Sequence, residues 1–240
     1  MDLGSLGTVL GVWAHPDDET YLSSGLMARA VRDGSRVVCV TATRGEGGST
    51  DPQRWPTETL GKVREDELMR CLDLLGVTEH HFLDLPDVDW HTPLPQQGAD
   101  AVLAIMREVR PDTVLTFGPD GMTGHVGHQS VCTWTTDAFH TVAPPGARLY
   151  YAVNDEAYAA RFGARLHELG AMREGAELPV HPRASIELAY DLEPDLLDLK
   201  MEAIAQHASQ IEAVITAFGA EEFREGMGSE TFRLAAERPT

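Results

Sequence analysis

Short apolar runs alternate along this chain with longer stretches in which apolar residues recur every three or four positions. Thr8 to Trp13 is the first run, and its length and apolar character predict a strand buried on both faces. A helix is predicted over 19–33, ending at Gly34, and a second strand over 36–42. Residues 57–75 read as a long helix closed by Gly76, and 80–84 as a short third strand. A helix over 98–110 stops at Pro111, and 112–117 forms the fourth strand. His128 to about Phe139 is helical, Pro144-Pro145-Gly146 breaks the pattern, and 148–153 is another strand. Strands and helices in strict alternation imply an α/β fold, a Rossmann-like, mostly parallel sheet with helices on both faces.

Beyond 155 the pattern loosens. A helix is expected over 157–169, a strand over 185–190 and one helix over 194–215, followed by a glycine-containing tail. No repeat or low-complexity linker divides the 240 residues. The expectation is one domain over 1–240, with a regular core over about 8–155 and a less regular region over 156–240.

The formal net charge of −19 argues against nucleic acid, which needs a basic footprint, and against an anionic membrane surface. No run is long enough to span a bilayer and no signal-peptide pattern is present, so a cytoplasmic location is expected. Cys39, Cys71 and Cys132 are scattered and form no CxxC, which supports neither a disulfide framework nor a thiolate zinc site.

Two segments carry candidate chemistry. Trp13-Ala14-His15-Pro16-Asp17-Asp18-Glu19 follows the first strand and delivers a histidine and adjacent carboxylates to a strand end. Burying that much charge requires compensation. His15 and Asp18 are donors suited to Zn²⁺, leaving Asp17 to accept a proton. The competing reading is an acidic first helical turn favoured by the helix dipole. A second segment, from Thr116 to His128, follows the fourth strand and carries His125 and His128 in a glycine-rich loop. Their spacing differs from the HExxH of zincins. Together the two loops point to one metal-binding cleft at the strand ends. Thr43 to Gly48 is also glycine-rich but lacks GxGxxG spacing, and no GxSxG elbow is present.

Ala14-His-Pro-Asp-Asp-Glu19 resembles the signature of the LmbE/PIG-L deacetylases, zinc amidohydrolases that remove acetyl groups from N-acetylglucosaminyl compounds. Thr43-Arg-Gly-Glu-Gly-Gly48, Arg64-x-x-Glu67, Phe82 to Asp87, and Lys200 with His207-x-Ser209-Gln210 match further elements of that family. The resemblance spans about 8–233 and implies an LmbE-type fold. It implies His15, Asp18 and His128 as metal ligands, Asp17 as general base, and His125 as the histidine that polarises or protonates the reacting centre. Arg64 and Asp87 are implied as substrate contacts, with Asp89 near enough to be confused with Asp87. The implied cofactor is Zn²⁺, with Fe²⁺ or another divalent ion as alternatives. The implied partner is a small amino-sugar substrate hydrolysed by a metal-activated water, and homo-oligomerisation is left open. Gly127 stands where relatives have an aspartate in HPDH, which implies a His125 harder to protonate.

Alternatives to a GlcNAc-type deacetylase are a zinc amidase on a larger thiol conjugate, a non-catalytic sugar-binding relative, and a module whose histidines only satisfy core hydrogen bonds. His80, His81, His91, His140, His167 and His181 are read as surface or capping residues, and His207 as packing. Glu19 and Glu46 are read as partners that orient a ligand or as loop and cap residues.

Overall fold

The computed structural model describes residues 6–89 and 91–240. In chain order the elements are β1 (Val9–Trp13), α1 (Asp18–Arg32), β2 (Val37–Thr43), α2 (Thr57–Leu75), β3 (Glu79–Leu85), α3 (Gln97–Val109) and β4 (Thr113–Phe117). A short turn α4 (Gly121–Gly124) leads to α5 (Val126–Val142), β5 (Arg148–Ala152) and α6 (Glu156–Glu168). The chain ends with β6 (Leu188–Asp191), α7 (Pro194–Ala205), α8 (Ala208–Phe218), α9 (Ala220–Gly226) and β7 (Ser229–Glu237).

Among the described residues seven strands form one sheet in the order β3-β2-β1-β4-β5-β7-β6. The first five are parallel, and every residue of β1, β2 and β4 is buried, as their unbroken apolar runs require. The chain builds outward from β1 to β3, then returns to lay β4 on the other side of β1. A crevice therefore opens between the carboxyl ends of β1 and β4, and both candidate loops start there.

The C-terminal region departs from expectation twice. The single helix expected over 194–215 is two helices, α7 and α8, separated at Gln206 and His207. Glu67 of α2 is the cause: it accepts from the Ser209 backbone N–H (2.8 Å) and from the Ser209 hydroxyl (2.7 Å). A buried carboxylate thus caps the first turn of a new helix. The expected tail is α9 and a nine-residue strand, β7, which runs antiparallel to both β5 and β6.

Glu230 on β7 explains why that strand was hard to foresee. It is a fully buried carboxylate, 2.8 Å from the Lys200 ammonium on α7. It also accepts from the backbone N–H groups of Gly25 and Leu26 in α1, each at 2.8 Å, while Lys200 donates to the Tyr21 carbonyl at 2.7 Å. The Gly25 N–H and Tyr21 C=O are groups that a regular α-helix pairs with each other. The ion pair thus bonds directly to the backbone of the helix whose first turn carries Asp18.

His80 is half-buried on β3 rather than on the surface, with Nε2 3.0 Å from the Thr41 hydroxyl, and burial pushes its pKa down to about 4.

Candidate metal and hydrolase site

Pro16 ends the β1 loop in a tight turn, and Asp17 follows at φ 117°, ψ −30°, a backbone region that non-glycine residues seldom occupy. Such a conformation costs about 1–3 kcal/mol and persists only where neighbours enforce it. Here Glu19 accepts from the Asp17 backbone N–H at 3.1 Å. Arg64 of α2 donates to the Pro16 carbonyl (2.6 Å), to the Asp17 carboxylate (3.2 Å) and to the Gly45 carbonyl (2.9 Å). One buried guanidinium thus ties the β1 loop to the β2 loop. A Cβ at Gly45, which sits at φ 68°, would lie 2.3 Å from that guanidinium, so glycine is required there. Burial pushes the Asp17 carboxyl up to about 6 against the opposing pull of Arg64.

Donor atoms of three side chains converge beside Asp17. His15 Nδ1 is 3.4 Å from an Asp18 oxygen, His128 Nε2 is 3.4 Å from the other, and the two imidazole nitrogens are 3.2 Å apart. Donors about 2.0–2.1 Å from a tetrahedral ion lie about 3.3 Å from one another. His128 Nδ1 lies 2.9 Å from the Gly121 carbonyl, which fixes the ring proton there and leaves the Nε2 lone pair facing the cluster. Lone pairs and a carboxylate that face each other in a buried site require a cation among them. Burial lowers the His15 pKa, but Asp18 and Asp87 outweigh it and push it up to about 10, so without an ion the cluster takes a proton. Burial opposes the Asp18 charge, yet His128 and His15 hold its carboxyl well below the usual carboxylate range. The donor set therefore fits a divalent ion.

His125 caps α5, accepting the Gly127 N–H at Nδ1 (3.0 Å), so the neutral ring carries its proton on Nε2. Its ring stacks on His128 and meets His15 edge-on, both with centroids 4.7 Å apart. Burial, followed by His15 and His128, pushes its pKa down to about 3. A Cβ at Gly127 would lie 3.1 Å from the His125 ring, so a side chain at this position would stand directly against this imidazole.

Asp87 rather than Asp89 reaches the cluster. Its Oδ1 is 3.6 Å from His15 Nε2, and its Oδ2 accepts from Gly47 N–H at 3.2 Å. Asp89 is exposed and closes a turn on His91 and Thr92. Glu46 accepts the Asp87 N–H, so this glutamate orients the loop. Ligand-type atoms of His125 also lie within 4.8 Å of those of His15 and His128, and a separate buried group is formed by Glu19, Cys71 and His207. The Thr20 hydroxyl already bonds all three, which accounts for the group as packing.

His15, Asp17, Asp18, Arg64, Asp87, His125 and His128 all line one cavity of about 560 Å³. Residues of α6, α8 and α9 line it too, and these the sequence reading missed. Tyr158, Phe162, Leu166 and Leu169 do recur at helical spacing, but that signal is shared by any core-facing stripe.

The sequence profile of the PIG-L family, described as GlcNAc-PI de-N-acetylase, matches residues 10–139, more than half of the chain. The chain belongs to the PIG-L family. Every side chain of the polar cluster lies inside the matched segment. The 1D-myo-inositol 2-acetamido-2-deoxy-alpha-D-glucopyranoside deacetylase of Rhodococcus jostii is 33% identical over 241 residues, covering 85% of this chain and 81% of that protein. The deacetylase of the same name from Thermobispora bispora is 29% identical, covering 96% and 89%. Among solved structures, the N,N'-diacetylchitobiose deacetylase of Pyrococcus horikoshii superposes with a TM-score of 0.65 at 21% identity, over 95% of this chain and 83% of that one. The 4-carboxy-2-hydroxymuconate hydratase of Pseudomonas putida superposes with a TM-score of 0.68 at 16% identity, over 98% of both chains. PIG-L architecture is thus shared by proteins named for different reactions, and the reaction has to be argued from the site. Among the described residues no helix is long and apolar enough to cross a membrane.

Proposed function

We propose that this chain is a metal-dependent N-deacetylase that hydrolyses the acetamide of an N-acetylglucosaminyl-type substrate to acetate and a free amine. The observation that carries this reading is the convergence of His15, Asp18 and His128 at 3.2–3.4 Å beside Asp17. The names of the relatives support the amino-sugar amide as substrate class. His15, Asp18 and His128 would hold the ion, Zn²⁺ as in the resembled family, though a set of two histidines and an aspartate suits Fe²⁺ comparably. When bound, that ion supplies Lewis acidity toward the amide carbonyl and toward water.

The chain's own residues do the rest. Asp17, held by Arg64 and with its carboxyl pushed up to about 6 by burial, accepts a proton from the attacking water. His125 donates from Nε2–H to the carbonyl oxygen as charge builds there, because Nδ1 is occupied by Gly127. Asp17 then carries the proton that the departing amine takes up, so the proton removed from water is returned. Arg64 and Asp87 are the proposed sugar contacts; Arg64 also holds Asp17, and Asp87 lies 3.6 Å from His15 Nε2. A cytoplasmic enzyme acting on a small amino sugar belongs to this proposal.

The size of the cavity favours one second reading, an amidase acting on a larger conjugate. Amine release from a panel of N-acetylglucosaminides and amide-linked thiol conjugates, with Zn²⁺ added, separates the two. Release from the glucosaminides is expected. Release from the conjugates alone would favour the second reading, and release from neither would refute both.

A further inference from the structure

Tyr21 closes the first turn of α1. Its backbone N–H donates to the Asp17 carbonyl at 3.0 Å, and its own carbonyl accepts from the buried Lys200 ammonium at 2.7 Å. The residue is therefore fixed on one side to the proposed base and on the other to an ion pair in the interior. Its ring packs on the buried cluster of the C-terminal helices and meets Phe223 edge-on, with centroids 6.4 Å apart. A side chain held in this way loses little freedom when a ligand arrives.

Tyr21 lines the cavity that holds Asp17, Arg64, Asp87 and His125. The ring is anchored, yet among the described residues the hydroxyl has no hydrogen-bond partner, and it is not sealed within the packing. Burial, and after it the negative charge of Asp17, holds the phenol well above its ordinary pKa, so it keeps its proton and stays a donor. Four residues separate Tyr21 from Asp17, a rise of about 6 Å along the helix. The phenol therefore addresses a different part of a bound molecule from the amide that Asp17 serves. In an amino-sugar amide the polar groups away from the amide are ring hydroxyls, and each of them can accept from a phenol.

We infer that Tyr21 is a substrate-binding residue whose hydroxyl donates to one ring hydroxyl of the amino sugar from the α1 side of the cavity. This rests on the proposed deacetylase reading and adds a contact from outside the loops that carry the other proposed site residues. It makes the enzyme selective for sugars that carry that hydroxyl, because an analogue without it leaves the phenol unpaired.

The test is a cycle of Tyr21→Phe against methyl N-acetylglucosaminide and its 3-, 4- and 6-deoxy analogues, with the Zn²⁺-loaded full chain. Phenylalanine keeps the ring and its contact with Phe223, so the denaturation midpoint is expected to hold. With the complete sugar, kcat/KM is expected to fall about 3- to 10-fold, the range of one lost hydrogen bond between neutral groups, with the loss in KM. With one deoxy analogue, parent and variant are expected to react alike, and that analogue identifies the contacted hydroxyl. Calorimetry with the matching glucosaminides, which are not consumed, is expected to give the same pattern in Kd. If no compound releases amine, the deacetylase reading fails, and the Kd cycle of the amides themselves then decides the Tyr21 contact alone. An equal loss with every analogue would place the phenol on a group common to all of them, and no loss with any would leave it idle. Either result, or the absence of measurable binding by every compound, overturns the inference.

Discussion

An Asp17→Asn variant is expected to fold, to keep its metal, and to lose about 10²–10⁴-fold in kcat, the range typical of a removed general base. Asparagine is isosteric with aspartate and meets the same backbone strain at position 17, so the loop is not forced to rebuild. Its amide oxygen can still accept from Arg64, so the tie between the β1 and β2 loops persists. What it cannot do is take a proton from water. Metal content and amine release measured on the same preparation check this. Near-normal turnover with full metal occupancy would exclude Asp17 as the base. A drop in both together would assign Asp17 to holding the metal loop instead.

The second large effect concerns stability. Lys200→Met leaves Glu230 charged in a fully buried position and is expected to cost about 3–5 kcal/mol, read as a shift of the denaturation midpoint. Glu230→Leu is expected to cost as much. For most buried ion pairs, replacing both partners with apolar residues restores stability. Here it is not expected to. The pair also satisfies the Tyr21 carbonyl and the Gly25 and Leu26 N–H groups of α1, and each buried backbone group left without a partner costs about 1–3 kcal/mol. A Lys200→Met/Glu230→Leu double variant as stable as the parent would show that α1 closes its own ladder without the pair.

The first half of the fold was legible because its signals are local. Runs such as 8–13, 36–42 and 112–117 are buried on both faces, so continuous apolarity marks them without help from distant residues. The candidate site was legible for the same reason: its loops begin where those strands end, and Rossmann-like winding brings them together. Beyond residue 155 the determinants are long-range. The helical pattern breaks at Gln206 and His207 because Glu67, about 140 positions earlier, caps a new helix there. β7 hides a buried charge that makes sense only once Lys200 stands against it. Arg64 is read from sequence as a substrate contact, and the structure shows it holding Pro16, Asp17 and Gly45, a role that depends on where three loops meet.

Metal stoichiometry is the most direct test of the central claim, that His15, Asp18 and His128 form a site for one divalent ion. Elemental analysis of the purified chain after exposure to one equivalent of Zn²⁺ and removal of free metal is compared with that of His15→Ala and His128→Ala treated in parallel. The account predicts one ion per chain in the parent and a sharp loss in each folded variant, because removing one nitrogen leaves two donors. Full stoichiometry retained by either variant would contradict it.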